Sequence, residues 1–506
     1  MLLKRVAVLV LFISIGLFAT AQTQAPNLFN VVPYSSLHQG AVASVTSYKG
    51  SPCSLTPSTL TPCGAQLSDP NNFQALGGVL NLSNSLNASI ATALAVIPLA
   101  SPASGVIIKM DPTTGAELPV SSTLGPIFTE RAETIGKNKF YIGLSNQNYH
   151  FTSLNGESIK GLRVLDPGGV PSNISFNGNF VPTFPTTVDV AMDVRLSQNI
   201  AFLTYGVTNR FDISVGLPVI HSEVSSRTTN GQIFVGDGFN GNGNGNCWCV
   251  DTFTPGVAPV NGSGLILSDI NFANDSKTGF GDMLLRFKGN VIEGRKVALA
   301  LGADLRLPTG DEKNFLGTGA LAVKPFAALS LYTKPFSNGI VFSPHVNVGW
   351  QFAGKSILGG GISGASSVAL ANGGTGLGAP FTTTKDFLPD IFSWAVGTEV
   401  AFGRHNTVVV DFLGNQIGWI HGIQNMTNGS VSNVPSPQTS AQSAPLVTAS
   451  GLVSAGRVSF GEYSGAFGYK ARIAGNLVAT FNMLIRFDNN GLTDRFVPLY
   501  GVSYTF

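Results

Sequence analysis

The sequence predicts an all-β chain, a transmembrane antiparallel β-barrel of about 12 strands with an irregular N-terminal segment. Three observations carry this. Charged residues are 11% of the 506, against roughly 25% in soluble domains, yet no uninterrupted apolar run downstream of the N-terminus reaches the ~18 residues of a helical span. The apolar residues are dispersed, as alternating strands disperse them. The stretch RFVPLYGVSYTF, Arg495 to Phe506, puts Phe496, Tyr500, Val502, Tyr504 and Phe506 on one strand face and Leu499, Gly501, Ser503 and Thr505 on the other. Such an edge invites aggregation unless it pairs and its aromatic face meets lipid. Finally, connections between strand candidates alternate short and long, like the periplasmic turns and external loops of outer-membrane barrels.

The chain opens with Lys4 and Arg5, an apolar run from Val6 to Phe18, and Ala19-Thr20-Ala21. This is the pattern of a signal peptide, residues 1–21, with cleavage expected after Ala21. Residues 22–135 do not alternate and are expected to form a periplasmic or lumenal segment, a plug or a simple leader. Within it, Leu82 to Leu99 is a helix candidate ending at Pro98, and Val106 to Met110 with Ala116 to Val120 is a hairpin candidate. Those strands are shorter than the ~9–11 residues of a tilted span; if they joined the wall, the count would rise to 14.

Two close cysteine pairs, Cys53 with Cys63 and Cys247 with Cys249, read as disulfides in an oxidising compartment. A Cys53–Cys63 bridge closes a comfortable loop, a Cys247–Cys249 bridge is tight, and pairing between the clusters stays open. A Cys-x-Cys without a nearby His is a poor zinc signature.

Residues 136–506 read as the barrel. Strands are predicted at 139–152, 187–205, 211–220, 278–292, 296–307, 320–333, 340–352, 389–402, 407–419, 456–471, 476–487 and 495–506. In the second, Val188, Val190, Met192, Val194 and Leu196 alternate with Asp189, Asp193 and Arg195, and the apolar set is expected to face lipid. In the tenth, Glu462 and Lys470 fall on the parity read as apolar, which suggests a bulge. Long loops are expected at 221–277, 353–387 and 420–455.

The inward parity collects lumen-lining candidates: Asp189, Asp193, Arg195, Asp212, Asp282, Arg286, Lys288, Asp304, Arg306, Lys324, His345, Glu399 and Arg486. A charge facing lipid at mid-depth costs roughly 2–4 kcal/mol, so these belong inside, where they either brace the wall with ion pairs or set selectivity along a polar path. Asp311, Glu312 and Lys313, after Pro308 and Gly310, are expected at a solvated loop tip.

Signals for other classes are weak. A net charge of +2 gives no electrostatic case for nucleic acid. No Gly-x-Ser-x-Gly elbow occurs, and the histidines (His38, His150, His221, His345, His405 and His421) are scattered. Gly236 to Gly241 matches a dinucleotide fingerprint literally but lacks its strand-to-helix setting. Asp237 and Asp251 in that loop make at most a weak calcium site. No enzyme activity, metal or cofactor is expected.

The segments GPIFTERAETIGKNKFYIGLSNQNYHF (125–151), TYGVTNRFDISVGLPV (204–219), TGFGDMLLRFKGNV (278–291) and ADLRLPTGDEKNFLGTGALAVKPF (303–326) resemble the outer-membrane family named for the meta-cleavage pathway of phenol degradation. The resemblance covers most of 125–506. More distantly, the architecture is similar to long-chain fatty acid and aromatic hydrocarbon channels, whose N-terminal Asn-Pro-Ala motif this sequence lacks. The resemblance implies a passive outer-membrane transporter for small hydrophobic or aromatic compounds, located in the bacterial outer membrane. The alternative is a surface-binding or structural barrel with a closed lumen. Expected partners are outer-membrane lipid, the barrel-assembly machinery through the strand ending at Phe506, and a small hydrophobic or aromatic solute.

Overall fold

The computed structural model describes residues 27–35, 38–39, 42–45, 63–66, 72–74, 77–98, 108–110, 117–119, 123–176, 179–237, 247–253, 272–294, 296–333, 336, 340–363, 368–369, 382–403, 405–426, 429–431, 447–449 and 452–506. The signal-peptide site at Ala21 and Cys53 lie outside the described residues. So do the side chains of Cys63, Cys247 and Cys249, whose strands are described as backbone.

Twelve antiparallel strands form one closed wall. They are β1 (Phe140–Phe151), β2 (Asn179–Thr208), β3 (Phe211–Asp237), β4 (Met283–Glu293), β5 (Val297–Leu307) and β6 (Ala322–Leu331). Then come β7 (Val341–Ala353), β8 (Ile391–Phe402), β9 (Asn406–Met426), β10 (Leu452–Ala474), β11 (Leu477–Arg486) and β12 (Phe496–Thr505). Each pairs with its neighbours in the chain, and β12 returns to β1 in the register Leu499↔Gln147 to Thr505↔Tyr141. The ring therefore has no free edge, which is what lets a sheet sit in lipid with every backbone group paired. Among the described residues the N-terminal hairpin, Ile108–Met110 with Glu117–Pro119, pairs only with itself, so the count is twelve rather than 14.

The outer face is apolar. Leu203, Leu217, Phe287, Leu301, Val323, Val396, Phe467 and Phe481 are all exposed on the outward parity of their strands. Aromatic rings collect near both rims, with Phe140 against Tyr205 (4.7 Å) and Tyr504 against Phe506 (4.6 Å) at the turn end and Trp350 against Phe392 (5.7 Å) at the loop end. An apolar belt between aromatic girdles is the outer-membrane architecture.

Several strands outrun the bilayer. β2 has 30 residues and β3 has 27, against the ~9–11 of a span. Their upper parts continue as a hairpin, with Phe272–Phe280 pairing on β3 and Leu162–Phe176 pairing on β2 above β1. Much of what reads as long loop from 221 and from 420 is thus extended strand. In β10 the expectation about parity is corrected. Tyr463, Phe467 and Tyr469 point out, while Glu462 and Lys470 are buried inside. The register shift lies in β9, where Gly418 and Trp419 bulge between Ile417 and Ile420.

One long helix, α1 (Gly77–Val96), packs inside the loop end of the wall. Leu82, Leu86, Ile90 and Leu94 recur every four residues and are all buried, and Pro98 follows its last turn. They meet a short helical stretch at Leu28–Ser35, the inner faces of β9 and β10 and the strand Leu162–Phe176, in one apolar core that also takes in Val190, Val194 and Leu196 of β2.

Candidate functional site

At the turn end, residues 123–136 form a strap that follows the inner wall with irregular backbone. Gly125 and Gly136 have positive φ (89° and 100°), which only glycine adopts freely. At Gly206 of β2 a Cβ would lie 1.8 Å from the Gly136 carbonyl oxygen, so the wall is bare where the strap joins it.

A strap without secondary structure must find outside partners for its N–H and C=O groups, and inward polar side chains supply them. Gly125 N–H donates to Glu399 Oε2 (2.9 Å), Phe128 N–H to Asp411 Oδ2 (3.0 Å), Ala132 N–H to Ser330 Oγ (2.9 Å) and Ile135 N–H to Asp212 Oδ2 (2.9 Å). Asn347 exchanges two bonds with the Glu130 backbone. Lys470 donates to the Pro126 carbonyl (2.6 Å), and Lys288 donates to those of Arg131 and Glu133. Arg131, 1% exposed, donates to both oxygens of Glu399 (3.2 and 2.8 Å).

His345 bridges Glu399 and Ser330, its Nε2 lying 2.8 Å from Glu399 Oε1 and its Nδ1 2.9 Å from Ser330 Oγ. The Ser–His–carboxylate order is that of a hydrolase. Here Ser330 is wholly buried, its oxygen accepts the Ala132 N–H, and none of the three lines the chamber above the strap.

Between the strap and α1 lies a chamber of about 200 Å³. Ala93 to Pro98 roof it, and Phe128 and Glu130 form part of its floor. Leu284, Phe326, Leu413, Leu484 and Tyr149 give apolar wall, and the charged lining divides by side. On β4 to β6 stand Arg286, Asp304, Arg306 and Lys324; opposite, on β10, β11 and the connection before β12, stand Glu462, Arg486 and Asp494.

Arg286 forks onto Asp304 (2.6 and 2.7 Å), reaches Glu130 (2.7 Å) and lies 5.1 Å from the Phe326 ring centre. Arg306 donates to the carbonyls of Leu94 and Ala95 (2.7 and 3.1 Å), a cation at the carbonyl end of α1. Arg486 pairs with Glu462 (2.9 Å) and Asp488 (3.2 Å).

The residues predicted from alternation therefore divide. Arg286, Asp304, Arg306, Lys324 and Arg486 line the chamber. Asp212, Lys288, His345 and Glu399 face inward but hold or underlie the strap. Asp282 faces inward and ties down the following loop through Gly310 N–H, Thr318 N–H and Thr318 Oγ1. Asp189, Asp193 and Arg195 correct the prediction, because they lie on the outer face. Val190, Met192, Val194 and Leu196 are the buried side of β2, packed in the core that includes α1. This stretch stands above the lipid belt, where water is outside and the apolar core that includes α1 is inside, so the polarity of the two faces reverses. Asp189 there pairs with Arg163 (2.7 Å), and Arg195 with Asp193 (2.9 Å).

At the loop tip, Asp311 and Lys313 are exposed, whereas Glu312 accepts from Ser356 Oγ and Ile357 N–H. Sequence reasoning missed Glu130, Arg131, Asp411, Glu462 and Lys470. The cluster Glu130-Arg131-Ala132-Glu133, charge-dense in a charge-poor chain, was the available signal.

The sequence profile of the family described as "Putative MetA-pathway of phenol degradation" matches residues 175–356, from the upper part of β2 through β7. No curated protein matches the chain. Among solved structures, an outer membrane channel from Pseudomonas putida F1 is similar at 10% identity and a TM-score of 0.37, over 74% of this chain and 98% of that one. A FadL homologue from Pseudomonas aeruginosa is similar at 10% identity and 0.28, over 81% and 98%. The CymD monoaromatic hydrocarbon channel is similar at 8% identity and 0.27, over 73% and 88%. By sequence, then, it is the β2 to β7 portion of the wall that is similar to the phenol-degradation family.

Proposed function

We propose that the protein is a passive outer-membrane transporter for small hydrophobic or aromatic compounds, and that solute passes through the chamber between α1 and the strap. The carrying observation is the chamber itself, which has aromatic and aliphatic walls, a few fixed charges and a volume of about 200 Å³. Engineered apolar cavities of about 150 Å³ hold benzene, so one ring with a small substituent is the size that fits. In this reading residues 1–21 are a signal peptide, residues 22–135 supply the plug, residues 136–506 are the barrel, and the closing strand is what the barrel-assembly machinery receives. The chain carries out no catalysis, and the Ser330–His345–Glu399 row serves to brace the strap.

The strap's buried bonds favour a second reading, a closed lumen whose external loops bind a partner. Uptake separates the two. Cells lacking general porins, with and without the full-length protein, would be given labelled toluene at micromolar concentration. Uptake several-fold above the empty-membrane rate supports transport, and an unchanged rate leaves the closed barrel.

A further inference from the structure

The positive wall of the chamber is unevenly neutralised. Asp304 of β5 stands directly across the ladder from both Arg286 of β4 and Lys324 of β6. A guanidinium fork takes a carboxylate bidentately where an ammonium gives a single point contact. Arg286 accordingly occupies both Asp304 oxygens. Lys324, although it lines the chamber, forms no hydrogen bond or close ion pair with a described residue. Arg306, two residues along β5 from Asp304, donates only to backbone carbonyls among the described residues and has no carboxylate there within bridging distance. A Cβ on Gly349 of β7 would come 2.8 Å from Lys324 Cε and 3.2 Å from Phe326 Cβ, so bare backbone there gives the lysine stem its room. Glu130 and Asp304 are both engaged by Arg286, and Glu130 by Lys288 as well. This side of the chamber thus presents surplus positive charge beside the Phe326 ring. A partly buried charge whose facing carboxylate is already held by another cation is costly, and an anionic group arriving with the solute would relieve that cost.

We infer that the chamber binds small aromatic monocarboxylates, with the carboxylate on Lys324 beside Arg306 and the ring against Phe326 and Leu284. This rests on the reading of the chamber as the solute's site and specifies which aromatic compounds it selects. The opposite wall reinforces the polarity, because Glu462 and Asp494 outnumber Arg486 there and repel an anion toward β6.

The test is calorimetric titration of the full-length protein, refolded in detergent micelles, with benzoate, benzamide and toluene against micelle blanks. Benzoate is expected to bind at least tenfold more tightly than benzamide, its uncharged near-isostere. In Lys324→Met that preference should be lost while benzamide affinity stays within twofold. Lys324→Arg should keep the preference, and Gly349→Ala, which crowds the lysine, should reduce it. Folding of each variant is checked by the faster migration of the unboiled barrel on a denaturing gel. If Lys324→Met does not fold, the benzoate-to-benzamide ratio of the wild type and of Gly349→Ala decides. Equal affinities for benzoate, benzamide and toluene would overturn the inference and leave the reading of a hydrophobic-solute chamber standing. Binding of none of the three would overturn that reading as well. A preference that survives in folded Lys324→Met would place the anion elsewhere and refute the assigned site.

Discussion

The helix α1 and the strap both lie inside the barrel, yet they are held by opposite means. The helix has no charged residue between Gly77 and Val96 and satisfies its own backbone, so apolar burial of Leu82, Leu86 and Ile90 is enough to seat it. The strap packs Glu130, Arg131 and Glu133 into residues 123–136 and borrows hydrogen bonds from Asp212, Ser330, Asn347, Glu399 and Asp411. The difference follows from backbone geometry. A segment that cannot pair with itself needs a polar wall beside it, and a polar wall in a barrel is costly unless something is tied to it.

That contrast can be broken from either side. The largest effect is expected for Glu399→Ala, which leaves Arg131 buried with no carboxylate on it. Removing one partner of a buried pair costs about 3–5 kcal/mol, so amide exchange at Gly125, Phe128 and Ala132 should speed up by about two to four orders of magnitude, with little change in α1. Equal acceleration in α1 would show that strap and helix are a single cooperative unit, which would end the distinction.

Leu82→Ala should do the converse. A buried Leu to Ala change costs about 2–5 kcal/mol, and hydrogen exchange should rise along α1 while the strap amides stay protected. Protection lost first in the strap would contradict the packing account.

The smallest effect concerns the rim between them. Burial raises the Asp494 carboxyl above its usual range, although the His150 and Phe496 N–H groups donate to it. A raised folded value means the folded state holds the proton more tightly than the unfolded one, whose value is near 3.9. The contribution to stability is therefore fully present below about pH 4 and is lost as pH rises through the folded value. Urea unfolding of wild type and Asp494→Asn at pH 4 and pH 7 should show the wild type gaining on the variant at the lower pH. Parallel behaviour at both pH values would remove Asp494 from the account.

Much of the wall was legible because alternation is a local property. The predicted strand at 211–220 puts Phe211, Ile213 and Leu217 outward as expected, and β4, β5, β7 and β11 agree in parity with their sequence pattern. Alternation gives two faces but does not say which solvent each one meets. In β2 the same rule predicted the wrong facing for Asp189 and Arg195, since an apolar core that includes α1, rather than lipid, takes in Val190 and Val194. In β10 the aromatic set Tyr463, Phe467 and Tyr469 takes the outer face, opposite to the parity read as apolar.

What the sequence by itself determined is the antiparallel barrel, its strand order and the inward placement of Arg286, Asp304, Arg306, Lys324 and Arg486. Each of these follows from period-two spacing between turns and from the cost of a charge in lipid. Only the tertiary structure decided which carboxylate each cation meets, that Glu130 and Arg131 lie beneath the wall's polar residues, and that Lys324 is left facing a chamber. The pairings that tie the strap to the wall depend on residues more than 150 positions apart, as for Arg286 with Glu130 at 156 and Arg131 with Glu399 at 268. No local pattern encodes contacts of that reach.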